Sequence, residues 1–332
     1  MNKKAVVLLS GGLDSTLAAL IVKAQGIALE ALNFQTMFGC CKDDARGVAY
    51  ELGIPYTTLK VGDDYLKVVQ EPKHGYGKGI NPCVDCRAYM FDLGKKFMDQ
   101  VGASFLISGE VLGQRPMSQK MRDFKTIEKD TSLEGLILRP LSAHLLPETK
   151  PELAGIVDRT KLYGIEGRSR SELVKLAHQF GLEDKDIPQP STGCALTEPA
   201  FAKKVRDIFV HKPDSYARWE FEILKVGRHF RLDALTKVIV SKDEPENAYL
   251  EAMERPAGAV LLRCHNFGGP HALLVGDNSE SNRERAAAVM LRYAHKSRPP
   301  LCEIEFIENG SPSVFLAGIP AEEAELATLR IV

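Results

Sequence analysis

Two groups of residues in this 332-residue chain have types and spacings that could do chemistry. The first is Ser10-Gly11-Gly12-Leu13-Asp14-Ser15. Two adjacent glycines let the backbone turn tightly and approach a ligand closely. Ser15 adds a hydroxyl donor, and a helix opening there presents unpaired N–H groups at a positive dipole end. That combination suits a phosphate or pyrophosphate. It is not the Walker pattern, because no Gly-Lys-Ser/Thr follows; a ligand-free turn is the plain alternative. The second group is made of thiols, Cys83-Val84-Asp85-Cys86 and Cys194. A Cys-x-x-Cys at a helix start is expected to gain thiolate character, and thiolate is both nucleophile and soft metal ligand. Packed or buried cysteines are the plain alternative here. Adjacent Cys40 and Cys41 point opposite ways on an extended segment and are read as structural.

The elements around these residues must place them. Ala5 to Leu9 is a short apolar run that reads as a buried strand, and Thr16 to Gln25 has helical spacing. Leu29–Phe34 and Tyr56–Val61 read as strands, with a helix from Lys42 to Leu52 between them. A Gly- and Pro-rich loop, Pro72 to Pro82, delivers Cys83 and Cys86 to a helix running from Arg87 to Val101. Phe105–Ser108 is a further strand, followed by the polar run Gly109 to Gln119. Helices are expected over Pro151–Tyr163 and Ser169–Phe180, the second behind Gly167-Arg168-Ser169-Arg170, a solvated cap or a phosphate contact. Alternation of strands and helices predicts an α/β domain, a Rossmann-like parallel sheet with ligands at the strands' carboxyl ends. Cys194 falls in Gln189-Pro190-Ser191-Thr192-Gly193, where Pro and Gly predict a turn.

Composition narrows the classes. With 44% hydrophobic and 26% charged residues and a net charge of -1, the chain reads as an ordinary globular protein. No apolar run is long enough to span a bilayer. The start, Met1-Asn2-Lys3-Lys4, runs straight into a needed strand, so a cytoplasmic location is expected and no membrane partner. Seven cysteines are then expected to be reduced, metal-binding or catalytic.

Ser-Gly-Gly-x-Asp-Ser after a first strand resembles the pyrophosphate loop of the PP-loop ATP pyrophosphatases, which have an adenine nucleotide alpha hydrolase-like fold. Gly109-Glu110-Val111-Leu112-Gly113-Gln114 with Ser118-Gln119, and Leu136 to Leu141, are similar to segments of the tRNA 4-thiouridine synthetases. Ser191-Thr192-Gly193-Cys194 resembles the catalytic region of the tRNA 2-thiouridylases. The resemblance implies ATP with Mg²⁺ on Ser10, Gly11, Gly12 and Ser15, with Asp14 organising the loop or the metal. Gly109, Glu110, Gln114 and Ser118 would line the pocket. It further implies ATP-dependent tRNA thiolation of the 4-thiouridine type, with Cys83 or Cys86 partnering Cys194. Sulfur would come as sulfide or as persulfide from a cysteine desulfurase. Several relatives hold a [4Fe-4S] cluster on three thiolates, so Cys83, Cys86 and Cys194 are expected as its ligands, ahead of a persulfide relay and of zinc. An adenylating enzyme acting on a small-molecule acceptor is the competing reading.

Three regions are expected: residues 1–200 as the PP-loop domain, 201–236 as a basic aromatic connector, and 237–332 as a smaller α+β domain. Phe201 to Arg231 carries eight Lys and Arg against four Asp and Glu, with Phe209, Tyr216, Trp219 and Phe221 interleaved. That mix can hold RNA or cover a core with snorkelling side chains. Asp243-Glu244-Pro245-Glu246-Asn247 and Gly268-Gly269-Pro270-His271 resemble the RNA-binding domain of the NFACT proteins. The 4-thiouridine synthetases carry an N-terminal RNA-binding extension, whereas this sequence starts at its first strand. Grip on tRNA is therefore expected from 237–332, where Arg283, Arg285, Arg292, Lys296 and Arg298 face Glu284. Cys264 and Cys302 have strand-like settings and are expected in a core.

Overall fold

The computed structural model describes residues 1–39, 45–189 and 193–331, which leaves Cys40, Cys41, Pro190, Ser191 and Thr192 outside the described residues. The chain divides into two compact units, Met1–Thr197 and Glu198–Val332. Among the described residues no helix is long and apolar enough to cross a membrane.

The first unit runs β1 (Lys4–Leu8), α1 (Leu13–Lys23), β2 (Ala28–Gln35), α2 (Ala45–Glu51), β3 (Tyr56–Lys60), α3 (Asp64–Gln70), α4 (Cys83–Gln100), β4 (Phe105–Ser108), α5 (Met121–Thr131), β5 (Ile137–Leu138), α6 (Lys150–Leu153) and α7 (Ser171–Gln179). Its sheet has the order β3-β2-β1-β4-β5 and is parallel throughout, which bears out the Rossmann-like expectation. β1 is central, with Ala5, Val6 and Val7 fully buried, as a strand covered on both faces must be. One layer packs α1 and α7 on the sheet through Leu13, Leu17, Leu173 and Ala177. On α4, Gly94 faces Leu8 and Leu106, where an added Cβ would stand 3.4 and 3.5 Å from their methyls. The order reverses between β1 and β4, and a ligand crevice opens at such a switch point.

Several elements differ from expectation. Residues 151–163 do not form one helix. Thr149 and Glu152 cap a single turn, α6, and Gly155 at φ +64° ends it in the left-handed region that glycine favours. α3 and α5 add helices on either side of α4 in the sequence.

The second unit runs α8 (Pro199–His211), α9 (Arg218–Glu222), β6 (Arg228–Arg231), β7 (Lys237–Val240), α10 (Glu244–Ala252), β8 (Val260–Cys264), β9 (Ala272–Val275), α11 (Glu280–Arg292), β10 (Cys302–Glu308), β11 (Ser311–Ala317) and α12 (Glu323–Leu329). Its six strands form an antiparallel sheet, β11-β10-β8-β9-β7-β6. Residues 201–236 are built into this unit. β6 is an edge strand of the sheet, Phe230 and Leu232 join the core under α11, and Ile223 and Trp219 pack on the other face with Ile239 and Leu250. Phe209, Tyr216 and Phe221 form a three-ring cluster with centroids 5.4–5.5 Å apart. Cys302 is fully buried and Cys264 half-buried; burial pushes the Cys264 thiol up to about 12.

Many of the cations in this stretch are engaged within the unit. Lys204 Nζ donates to the carbonyls of Leu224 and Gly227, Lys212 pairs with Glu220 at 2.8 Å, and Arg231 pairs with Asp207. Burial pulls the Lys237 ammonium down to about 8, although Asp207 opposes it, and burial also lowers Lys204 to about 8. The unfolded chain therefore holds more protons between about pH 8 and 10.5, and stability rises with pH across that window. Trp219, the chain's one tryptophan, reports on this unit. In urea titrations followed by its fluorescence, the wild-type midpoint rises from pH 8 to 10, and Lys237→Met flattens part of that rise. Equal slopes in the two proteins would contradict the assignment.

Candidate active site

The turn after β1 is fixed before any ligand arrives. Asn33, buried in β2, donates to the Leu9 carbonyl at 2.8 Å and so pins the strand's end. Gly11 takes φ +75°, and Gly12 caps α1 from an extended conformation. The Ser15 hydroxyl accepts from Ser10 N at 3.2 Å and donates to Gly12 O at 3.0 Å, while Thr16 Oγ1 donates to the same carbonyl at 3.1 Å. The result is a closed loop whose first-turn amides face outward from the helix start, as an anion site requires.

β4 delivers Gly109 against this loop. A Cβ on Gly109 would lie 2.5 Å from Ser15 N and 2.6 Å from the Asp14 carbonyl carbon, so only glycine fits. Gln114 Nε2 donates to Asp14 Oδ2 at 2.9 Å. Burial raises the Asp14 carboxyl above its ordinary range, and Gln114, Arg170 and Arg115 act against that. Asp14 is the acid at the loop that could hold Mg²⁺ carried by a nucleotide. Ser118 and Gln119 are buried in their own turn, where Gln119 Oε1 accepts from Arg115 N at 3.0 Å. Gly167 N donates to Leu112 O at 2.8 Å, which brings the 166–170 segment beside the Gln114 loop.

Glu110 links this loop to the thiols. Its carboxylate is almost fully buried between Arg139 Nε at 3.1 Å and Arg87 Nε at 3.5 Å. Arg139 also meets Glu128 at 2.5 Å and lies 3.9 Å over the Phe124 ring. Removing one partner of the Arg139–Glu110 pair costs about 3–5 kcal/mol, because the other charge is left buried and unpaired. Arg87 directly follows Cys86.

The cysteines sit on and beside the first turn of α4. Asn81 Nδ2 donates to Cys83 Sγ at 3.0 Å, and Tyr65 OH donates to Cys86 Sγ at 3.0 Å. Cys194, half-buried, lies on a turn closed by Thr197 N to Cys194 O at 2.9 Å. Ile80 N donates to Leu196 O at 3.0 Å, and Gly79 leaves no room for a Cβ against that carbonyl. The late cysteine's turn therefore packs on the segment that leads into Cys83. Cys83, Cys86 and Cys194 are thus the three thiols that would hold a [4Fe-4S] cluster by soft-ligand chemistry, or that would pass sulfur as a persulfide. Among the described residues, however, no three His, Cys, Asp or Glu side chains converge as a metal-ligand set.

Residues that sequence reasoning did not single out are Tyr65, Asn81, Asp85, Arg87, Arg115 and Arg139. Asp85 had a visible signal, an acid between the two thiols. Its two oxygens accept Lys73 N and His74 N, each at 3.0 Å, and Asp130 takes the side chains of Lys73 and His74 at 2.8 and 2.6 Å.

Comparison with known proteins follows the division into two units. Residues 1–145 match the family model described as thiamine biosynthesis protein (ThiI), and residues 227–329 match that of the NFACT protein RNA binding domain. The first unit is thus similar to ThiI-type proteins over most of its length, and the second is similar to the NFACT RNA binding domain. A tRNA-specific 2-thiouridylase MnmA of Caldicellulosiruptor saccharolyticus is 27% identical over 250 residues, covering 68% of this chain and 64% of that protein. The namesake from Clostridium acetobutylicum is 35% identical over 127 residues, covering 33% and 36%. A solved 4-thiouridine synthetase–RNA complex with bound ATP aligns at a TM-score of 0.42 and 23% identity, over 59% of this chain and 45% of that one. The chain thus spans less than two thirds of these relatives' length.

Asp85→Ala releases the start of the 72–82 loop. Trypsin cleavage after Lys73 and Lys78, both exposed, is expected to quicken about fivefold as local opening becomes easier. An unchanged rate would mean that Asp85 does not hold the loop.

Proposed function

We propose that this chain is an ATP-dependent tRNA sulfurtransferase that adenylates a uridine carbonyl oxygen and replaces it with sulfur. The observation that carries the reading is the joining of anion loop and thiols at one end of one sheet. Gly109 touches the loop, and Glu110 beside it grips Arg87 next to Cys86. The tRNA-specific 2-thiouridylase relatives support tRNA as the substrate, the RNA-binding family match supports RNA contact, and the likeness of residues 109–119 to the 4-thiouridine synthetase loop favours the 4-carbonyl as the target.

In this reading Ser10, Gly11, Gly12 and Ser15 hold the β,γ-phosphates of ATP, with Gly109 and Gln114 around them. Mg²⁺ bound with the nucleotide neutralises phosphate charge. Attack of the uridine oxygen on the α-phosphorus forms the adenylate and expels pyrophosphate, a step governed by positioning and charge. A persulfide on one cysteine, loaded by a cysteine desulfurase or by sulfide and an oxidised thiol, then attacks the activated carbon, and AMP leaves. A second thiolate, from the pair of Cys83 or Cys86 with Cys194, attacks the sulfur–sulfur bond. Thiouridine is released, a cysteine disulfide remains, and a dithiol reductant restores both thiols.

The test uses the full chain with unmodified tRNA, MgATP and a persulfide-loaded desulfurase, with nucleosides read by mass spectrometry. Expected is 4-thiouridine, reduced roughly a hundredfold or more by Asp14→Ala and by Cys194→Ser. Appearance of 2-thiouridine would move the target to the other carbonyl. Pyrophosphate release without tRNA and without any thionucleoside would replace this reading with adenylation of a small molecule.

A further inference from the structure

The second unit holds a cleft that neither the sulfur chemistry nor the family match assigns. It is open to solvent, has a volume of about 420 Å³, and is lined by Trp219, Glu222, Tyr249, Met253, Glu254 and Arg255 with Pro256 at its end. Its walls come from α9, α10 and the turn after α10. Trp219 is anchored because one part of its ring packs on the Ile239–Leu273 core, and its remainder faces the cleft. Tyr249 is 42% exposed, an unusual setting for a large ring on a helix whose Asn247 and Leu250 are buried. Met253 supplies a polarisable floor.

The polar groups of the cleft are of two kinds. Glu222 is bonded to Arg218 at 2.9 Å, so its charge is offset. Arg255 has no ion-pair partner among the described residues and only a long contact of 3.5 Å to the Glu251 carbonyl. Glu254 is an exposed acceptor at the rim. Two aromatic faces, a free guanidinium and one carboxylate acceptor match an unstacked base on a phosphate chain. The rings stack a base, Arg255 meets the adjoining phosphate, and Glu254 accepts from an exocyclic amino group.

We propose that the Trp219–Tyr249 cleft binds an unpaired nucleobase of single-stranded RNA, with preference for bases bearing an amino group. This deepens the reading of the chain as an RNA-acting enzyme and rests on it only for the choice of RNA. The cleft would seat a splayed-out nucleotide, as loops and ends of folded RNA present them.

Trp219 is the chain's only tryptophan, so its emission reports on the cleft directly. The experiment titrates the full chain, without ATP, with octamers of cytidine, adenosine and uridine and with an RNA duplex. Expected is quenching by the cytidine and adenosine octamers, weaker quenching by uridine, and none by duplex. Tyr249→Ala should weaken the cytidine octamer roughly five- to a hundredfold, as loss of one base stack does. Arg255→Ala should weaken binding and flatten its salt dependence. Tyr249 is exposed and Arg255 half-buried, and an unchanged urea midpoint confirms folding. Binding of the octamers without a change in Trp219 emission, or with Tyr249→Ala at wild-type affinity, would overturn the proposal. So would quenching by spermidine in place of RNA, which would make the cleft a cation site. Thiolation failing while the octamers still quench would sink the sulfurtransferase reading and leave this one standing.

Discussion

The first unit depends on one close approach. Where β4 ends, the backbone of Gly109 lies against Asp14 and Ser15 with no space for a methyl group. This contact sits at the reversal of strand order, so it brings together two loops from opposite halves of the sheet. The loop that follows β4 is thereby held beside the anion loop. Glu110 is placed to grip Arg139 and Arg87, and Gln114 is placed to reach Asp14 across a separation of 100 residues. Close packing transmits that constraint, because interiors have little slack.

A second constraint fixes the sulfur side. The long loop from Pro72 to Pro82 is tethered at its start by Asp85 and seated at its end on the turn of Cys194. Asn81 then does two things, accepting from Gly79 N at 3.0 Å and donating to Cys83 Sγ at 3.0 Å. A loop of that length would ordinarily be mobile. Here its Gly residues allow tight seating, and its polar contacts tie early and late thiols into one corner.

Much of this was legible in the sequence wherever the rule was local. Ser10 to Ser15 needs two glycines and a helix start, and the β1 strand needs an unbroken apolar run, so both could be read directly. The first-unit sheet followed from alternation. α5 was missed because Lys120 gives no cap signal and only Phe124 and Ile127 mark its buried face. The Tyr65–Cys86, Glu110–Arg139 and Gln114–Asp14 pairs have no local signature at all. Charge counting in 201–231 left two readings open for a related reason. Composition shows eight cations, but Asp207, Glu220, Glu222 and two backbone carbonyls engage Arg231, Lys212, Arg218 and Lys204 within the unit. Arg283 and Arg292, too, meet Glu308 and Glu323 from other elements. A basic stretch is therefore not by itself an RNA surface.

The central claim is that the loop and the thiols serve one reaction on one RNA carbonyl. Its most direct test is an isotope transfer. tRNA transcribed with ¹⁸O at the uridine carbonyl oxygens is turned over with MgATP and a persulfide donor, and the AMP is weighed by mass spectrometry. The account predicts that each thiolation yields one AMP carrying one ¹⁸O, since the carbonyl oxygen leaves with the phosphate. AMP without label alongside thiolated tRNA would contradict it, because the oxygen would then have departed by a route that never passed through adenylation.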